Sequence, residues 1–250
     1  MTKPKVAFFD FASCEGCQLQ ILSIGETFLD LLGLMDIVEF REAISEKYDG
    51  PLDVAIVEGS ITDPHAEERI KKIRERAKVL IAYGSCACIG GVNGMKNSFE
   101  LDEIRQYVYG KDYQFFPSSK TKAVHQVVKV DYKVYGCPIY VPEFVEVLKC
   151  ALRGIPYTTP DKPVCAECKL NENVCLYEKG LVCLGPWTKA GCNSWCVNNN
   201  EICYGCRGLL TNPAENAAKD IISKYNLNPK LMTNKFDMYN KCREGDKDGK

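Results

Sequence analysis

Short apolar runs alternate with amphipathic segments through about the first 155 residues of the chain. The apolar runs predict five strands, and the segments between them carry apolar residues at helical spacing. Strands that are apolar throughout and separated by helices are typical of a parallel sheet covered on both faces. This part is therefore predicted to be a doubly wound α/β domain. The predicted strands are Lys5–Phe9, Asp36–Phe40, Val54–Val57, Val79–Tyr83 and one that ends at Val134–Tyr135, and the predicted helices are Gln18–Leu34, Pro64–Ala77, Leu101–Tyr109 and Pro142–Leu152.

The pattern changes after residue 155. The segment GIPYTTPDKP at 154–163 is rich in proline and is a predicted linker, and beyond it cysteine, asparagine and glycine dominate. With no periodicity there, metal ligation is expected to take the place of a hydrophobic core. The run Asn212-Pro213-Ala214-Glu215 resembles a capping box and predicts a helix to about Tyr225, and residues 243–250 are a predicted solvated tail. We expect two domains, residues 1–155 and residues 156–250.

The charge and hydropathy of the chain argue against nucleic acid and membranes as its partners. The formal net charge is −1, so neither nucleic acid nor an anionic membrane is expected as a partner. No apolar run approaches the roughly 18 residues of a transmembrane helix. The opening MTKPKVAFFD lacks the pattern of a secretion signal. We expect a soluble cytoplasmic protein without membrane insertion.

The chain has 15 cysteines and only two histidines. Cytoplasmic reductants keep thiols reduced, so metal ligation explains this composition better than disulfides. Eight cysteines fall within residues 165–206, and four more lie in the upstream motifs CEGC, GSC and GCP. Twelve cysteines in sets of four suit three 4Fe–4S clusters. They are Cys14, Cys17, Cys86, Cys137, Cys165, Cys168, Cys175, Cys183, Cys192, Cys196, Cys203 and Cys206.

The upstream cysteines all follow predicted strands. Cys14 and Cys17 follow the first strand, Cys86 the fourth and Cys137 the fifth. Open α/β sheets bind their ligands at the carboxyl ends of the strands, so these four thiols are predicted to meet at one sheet edge and hold one cluster. The alternative is that CEGC is a redox dithiol or half of a zinc site, and that the other two are ordinary buried thiols.

The downstream eight cysteines begin and end with CxxC pairs, Cys165/Cys168 and Cys203/Cys206. Their spacing alone does not fix how they divide into two sets. Two zinc ribbons compete with two iron–sulfur clusters, because four-cysteine zinc sites also use paired CxxC motifs.

A family resemblance rests on the motifs CEGC, VEGS at 57–60, GSCAC at 84–88 and GCP at 136–138, followed by the cysteine-rich region. With this order, residues 4–210 resemble the small subunit of nickel–iron hydrogenases, closest to the cytosolic branch with sulfhydrogenase delta and methanogen small subunits. The resemblance implies a flavodoxin-like doubly wound parallel sheet followed by a small, irregular iron–sulfur cluster domain. It also implies electron transfer from a nickel–iron site in a large subunit, with no catalytic residue in this chain.

The resemblance further implies how the ligands divide. The proximal cluster would use Cys14, Cys17, Cys86 and Cys137; the distal cluster Cys165, Cys168, Cys175 and Cys183; and the medial cluster Cys192, Cys196, Cys203 and Cys206. Many periplasmic relatives have histidine at the position of Cys165 and proline near Cys196. This chain departs from both, so three all-cysteine 4Fe–4S clusters of low potential are expected.

The implied partners are the nickel–iron large subunit and a further electron-transfer subunit, which could be a flavoprotein, a ferredoxin-type protein or a disulfide-reductase-linked protein. The alternatives are a subunit related to respiratory complex I, with one cluster, and a ferredoxin-like carrier without hydrogenase activity. Cys88, Cys150 and Cys242 remain outside the three sets, with Cys86 favoured over Cys88 as the ligand. For Glu15 and Glu58, a role in proton or subunit contacts and a purely local role stay open.

Overall fold

A five-stranded parallel sheet, in the order β2-β1-β3-β4-β5, forms the centre of the fold. The computed structural model describes residues 3–212 and 215–242, without the side chains of residues 215–218. The strands are β1 Lys5–Asp10, β2 Asp36–Phe40, β3 Leu52–Glu58, β4 Ala77–Tyr83 and β5 Tyr132–Val134. The α-helices are α1 Gly16–Leu22, α2 Glu26–Leu34, α3 Pro64–Arg76, α4 Gly84–Ile89, α5 Leu101–Tyr109, α6 Val141–Arg153, α7 Val164–Leu170, α8 Trp195–Asn198, α9 Glu215–Lys224 and α10 Pro229–Asp237.

Both faces of the sheet are buried. Alternate strand residues pack on one side against α1, α2 and α6, and on the other side against α3 and α4. Val6 and Phe8 belong to the first of these cores, whereas Ala7 and Phe9 belong to the second. The chain reverses its direction of winding between β1 and β3, which is the switch point where such sheets bind ligands. The predicted doubly wound, flavodoxin-like α/β fold is confirmed.

Two helix predictions need correction. The predicted helix Gln18–Leu34 is two helices, α1 and α2, because the chain turns at Gly25, whose φ of 60° is incompatible with a continuous α-helix. The predicted helix Pro64–Ala77 ends one residue earlier, since Ala77 already pairs with Leu52 as the first residue of β4.

The cysteine-rich region has a hydrophobic core of its own, so the expectation that metal ligation would replace one was wrong. Leu184 and Trp187 pack there with Val197, and Met232 of α10 closes the cluster. These apolar residues come from short helices and irregular segments, so the sequence shows no periodic pattern that would predict this core. The predicted helix to about Tyr225 is present as α9, whereas its predicted first residue, Pro213, and the predicted tail at 243–250 lie outside the described residues.

Within the described ranges 3–212 and 215–242, no helix is long and apolar enough to cross a lipid bilayer.

Candidate metal centres

The four upstream cysteines lie at the carboxyl edge of the sheet. Cys14 precedes α1 and Cys17 lies in its first turn, while Cys86 lies in α4 and Cys137 follows β5 before a cis peptide bond to Pro138. Burial, with smaller contributions from the nearby thiols of Cys137 and Cys14, raises the pKa of Cys86 to about 12. Burial likewise raises the pKa of Cys17, with Cys137 and Cys86 among the contributing charges. The thiols of this set therefore lie close enough to influence one another's pKa.

Glycines keep space around these sulfurs. A Cβ atom on Gly84, whose φ is +83°, would lie 2.6 Å from the Sγ of Cys17. A Cβ atom on Gly91 would lie 2.7 Å from the Sγ of Cys86. Neither position accepts a side chain without moving a thiol, because real Cβ contacts are essentially never that short.

Glu58 holds the start of α1 in place. It ends β3 and is 2% exposed, and its two carboxylate oxygens accept hydrogen bonds from the backbone N–H groups of Cys17 (3.2 Å) and Gln18 (3.0 Å). Burial raises the pKa of Glu58, although these two hydrogen bonds oppose the rise. Because α1 has no side-chain cap of its own, a residue of the neighbouring strand satisfies its free N–H groups. Glu15 instead forms the turn into α1 with a φ of 60°.

Three cysteines point elsewhere. Cys88 is fully buried, and its Sγ donates to the carbonyl oxygens of Ala82 (3.3 Å) and Val134 (3.4 Å), so it faces the sheet. Cys150 lies buried in α6. Cys242 is also buried, although the sequence places it near the tail. This geometry explains why Cys86 is the better ligand candidate of the GSCAC motif.

The first downstream set consists of Cys165, Cys168, Cys175 and Cys183. Burial raises the pKa of Cys165, and the thiols of the other three members contribute to the total, which is about 12. Gly185 lies against this set, since a Cβ atom there would be 3.2 Å from the Sγ of Cys165. Cys175 is exposed, so the set reaches the protein surface.

The second downstream set lines one small cavity. Its members are Cys192, Cys196, Cys203 and Cys206. Burial, with smaller contributions from the thiols of Cys192 and Cys196, raises the pKa of Cys206 to about 12.

This second set contacts both of the others. The backbone N–H of Cys203 donates to the Sγ of Cys183 at 3.3 Å. On the opposite side, the hydroxyl of Ser85, which directly precedes Cys86, donates to the carbonyl oxygen of Cys206. The cavity of the second set therefore lies between the other two sets of thiols.

Sequence reasoning missed three residues that hold these sets. Glu167, inside the CAEC motif, accepts hydrogen bonds from the backbone N–H groups of Gly191 (2.7 Å) and Ser194 (3.0 Å) and so ties the Cys192 loop to α7. The Tyr239 side chain lies beside the Cys137 thiol, and burial together with this thiol raises the pKa of Tyr239. Arg207 is fully buried directly after Cys206. The position of Arg207, a charged residue between Cys206 and Gly208, could have drawn attention to it. No sequence pattern indicated Tyr239.

The donor chemistry of these thiols indicates which metal groups they could hold. In residues 3–212 and 215–242, no three His, Cys, Asp or Glu side chains are placed to hold one metal ion. Buried thiols with raised pKa values become thiolates when they bind a cationic group, and glycines leave open space beside them. This donor chemistry suits iron–sulfur clusters.

Comparisons with known proteins identify the family of the chain. The family described as NADH ubiquinone oxidoreductase, 20 Kd subunit, matches residues 14–152, more than half of the chain. Sulfhydrogenase 2 subunit delta of Pyrococcus furiosus is 38% identical over 205 residues, which cover 82% of this chain and 86% of that protein. One subunit of the F420-non-reducing hydrogenase vhu of Methanocaldococcus jannaschii is 32% identical over 235 residues, covering 82% of this chain and 81% of that protein.

Solved structures share the fold. A chain of an NAD⁺-reducing [NiFe]-hydrogenase superposes with a TM-score of 0.57 at 24% identity, covering 63% of this chain and 96% of that one. A chain of the actinobacterial-type NiFe-hydrogenase from Ralstonia eutropha H16 gives a TM-score of 0.56 at 14% identity, covering 92% of this chain and 93% of that one. By its sequence the chain belongs to the NADH ubiquinone oxidoreductase 20 Kd subunit family, in the branch formed by the small subunits of hydrogenases.

Proposed function

We propose that this chain is the electron-transfer small subunit of a cytoplasmic nickel–iron hydrogenase. It would relay electrons between a large subunit that interconverts H₂ with protons and electrons and a low-potential acceptor subunit. The observation that supports the proposal is the arrangement of the twelve cysteines: Cys203 of the middle set is hydrogen-bonded to Cys183 of one neighbouring set, and Cys206 is hydrogen-bonded to Ser85, the residue before Cys86 of the other. Residues 1–155 would carry the first set and residues 156–250 the other two.

In this proposal each set holds one 4Fe–4S cluster. The proximal ligands are Cys14, Cys17, Cys86 and Cys137; the medial ligands are Cys192, Cys196, Cys203 and Cys206; and the distal ligands are Cys165, Cys168, Cys175 and Cys183. When bound, such a cluster accepts and releases one electron at a time. The protein keeps the ligands rigid through Glu58 and Glu167, and it shortens the route between sets by direct contacts such as Cys203 to Cys183.

The two ends of the row suit two partners. The proximal end has Cys14 and Cys137 exposed and would face the large subunit. At the distal end, the exposed Cys175 lies in a segment with Leu170 (78% exposed) and Val174 (59% exposed), and this apolar surface would meet the further electron-transfer subunit. A chain with 15 cysteines, twelve of them assigned to clusters, suits a reducing compartment such as the cytoplasm.

A low potential is supported by the ligands. Thiolate at Cys165, where periplasmic relatives have neutral imidazole, favours the oxidised cluster. We therefore expect Cys165→His to keep the distal cluster assembled and to raise its midpoint potential. A redox titration without an upward shift would contradict a low-potential acceptor.

A carrier related to complex I, with a single cluster, is the second candidate. It is favoured by the match to the 20 Kd subunit family. That match ends at residue 152, before the eight downstream cysteines, whereas the hydrogenase subunit from Pyrococcus furiosus covers 82% of the chain. The hydrogenase subunit is therefore the better proposal.

The test is anaerobic purification of the native complex followed by assay of H₂-driven dye reduction. A nickel-containing large subunit should co-purify with this chain. Cys137→Ser should abolish reduction of the dye, while Cys150→Ser, which changes a buried cysteine outside the three sets, should retain it. A stable monomer without nickel, or unimpaired turnover by Cys137→Ser, would contradict the proposal.

A further inference from the structure

Arg207 is an arginine with no solvent exposure. Burial of an isolated guanidinium would be very costly, so its partners decide whether the site is possible. Its Nε donates to the carbonyl oxygens of Lys189 (3.1 Å) and Ala190 (3.0 Å), and its Nη1 donates to the carbonyl oxygen of Tyr135 (2.8 Å). One side chain thus bonds the backbone just before Cys137 and just before Cys192.

Glu143 completes the site from α6. The carboxylate accepts from both terminal nitrogens of Arg207, at 2.6 and 2.7 Å, which is the bidentate geometry of a strong charge-assisted pair. It also accepts from the Tyr157 hydroxyl at 3.1 Å. Gly191 packs against the guanidinium so closely that a Cβ atom there would lie 2.3 Å from Nη2 of Arg207. The site is closed around this one pair.

Stability alone is a poor explanation for such a pair. Desolvation offsets most of the attraction between buried ions, and apolar side chains of similar size often give equal or greater stability. The position of the pair is therefore the informative feature. Arg207 lines the same small cavity as Cys192, Cys196, Cys203 and Cys206, whereas Glu143 does not. The positive end of the pair faces the middle set, and the negative end faces α6.

We propose that Arg207, held by Glu143, is a positioning residue that fixes the medial ligands against the proximal loop and raises the reduction potential of the medial cluster. The proposal rests on the proposed function. A cluster with four thiolates gains negative charge when it is reduced, so a fixed positive charge beside it stabilises the reduced form. Glu143 tempers that effect from the far side of the guanidinium.

The test is an EPR-monitored redox titration of the anaerobically purified complex, with iron and sulfide measured in the same samples. Arg207→Met combined with Glu143→Leu removes both charges and keeps the packing volume, and it should shift the medial midpoint to more negative values. Glu143→Gln leaves the guanidinium uncompensated and should shift the midpoint to more positive values. Arg207→Lys keeps the positive charge, so its medial midpoint should lie closer to that of the wild type than the midpoint of the double variant does.

The matched control is Arg153→Met with Glu146→Leu, the same change at exposed positions of α6, which should leave the medial midpoint unchanged. An unchanged midpoint in the Arg207/Glu143 double variant with full iron content would overturn the proposal. If that variant assembles no clusters, Glu143→Gln decides: a positive shift supports the proposal and no shift or a negative shift overturns it. A wild-type complex without iron and sulfide would instead refute the proposed function.

Discussion

Gly84→Ala probes the proximal set most selectively. Gly84 opens α4 with a φ of +83°, and the added methyl group would lie 2.6 Å from the Sγ of Cys17. Ordinary contact begins at 3.4 Å, so the sulfur would have to move by about 0.8 Å, the difference between these two distances. Cys17 has little freedom to move because it is buried and Glu58 binds its backbone N–H.

Two energies add in this variant. An alanine held at positive φ costs about 1–2 kcal/mol. The steric overlap with a packed neighbour adds about 1–3 kcal/mol. Gly154→Ala is the matched control, since Gly154 also has positive φ (+67°) but has nothing within 4 Å of the added Cβ atom. The control should therefore show only the first cost.

Iron, sulfide and the urea midpoint would be measured on both variants under anaerobic conditions. We expect Gly84→Ala to lose about four iron atoms per chain, the content of one 4Fe–4S cluster, and Gly154→Ala to lose none. Equal stability and full iron content in both variants would refute the inference that Gly84 keeps room for the proximal ligands.

Three further predictions concern residues that the sequence did not mark. Tyr239→Phe removes a hydroxyl that lies beside the Cys137 thiol and should move the proximal midpoint potential to more negative values, because a hydroxyl donating to a cluster thiolate stabilises the reduced form; a redox titration with no shift would exclude Tyr239 as a tuning residue. Glu167→Gln replaces a carboxylate that accepts two backbone N–H groups and should lower the free energy of unfolding by about 1–2 kcal/mol, while Glu178→Gln at an exposed position should leave it unchanged. Burial and the charge of Lys133 lower the pKa of His125 to about 4. Because this pKa is below the ordinary value of about 6.5, stability is fully present above about pH 6.5 and is lost as the pH falls towards 4. His125→Gln should remove about 1 kcal/mol of the difference in unfolding free energy between pH 7 and pH 5, after allowance for solvent screening; an equal pH dependence in both proteins would contradict this.

The sheet could be predicted because its strands are unbroken apolar runs, as at Val79–Tyr83. The position of the upstream cysteines followed from the same pattern, since parallel strands end at one edge. The break at Gly25 could not be predicted, because apolar residues keep helical spacing across it and a glycine alone does not specify a turn.

Tertiary contacts decided the rest of the candidate site. The spacing of the eight downstream cysteines leaves their division open, whereas the folded chain places four of them around one cavity. Arg207 and Glu143 are 64 residues apart, and Tyr239 is about a hundred residues from Cys137, so neither contact has a local sequence pattern. The core around Leu184 and Trp187 could not be predicted either, because its members are scattered among polar residues along the chain.

The most direct measurement is the content of iron, acid-labile sulfide and zinc per chain in the native complex purified without oxygen. Three four-cysteine sets predict a coloured protein with about twelve iron atoms and about twelve sulfides per chain, and no stoichiometric zinc. A colourless preparation with about four or fewer iron atoms, or with zinc in place of iron, would contradict the relay of three clusters.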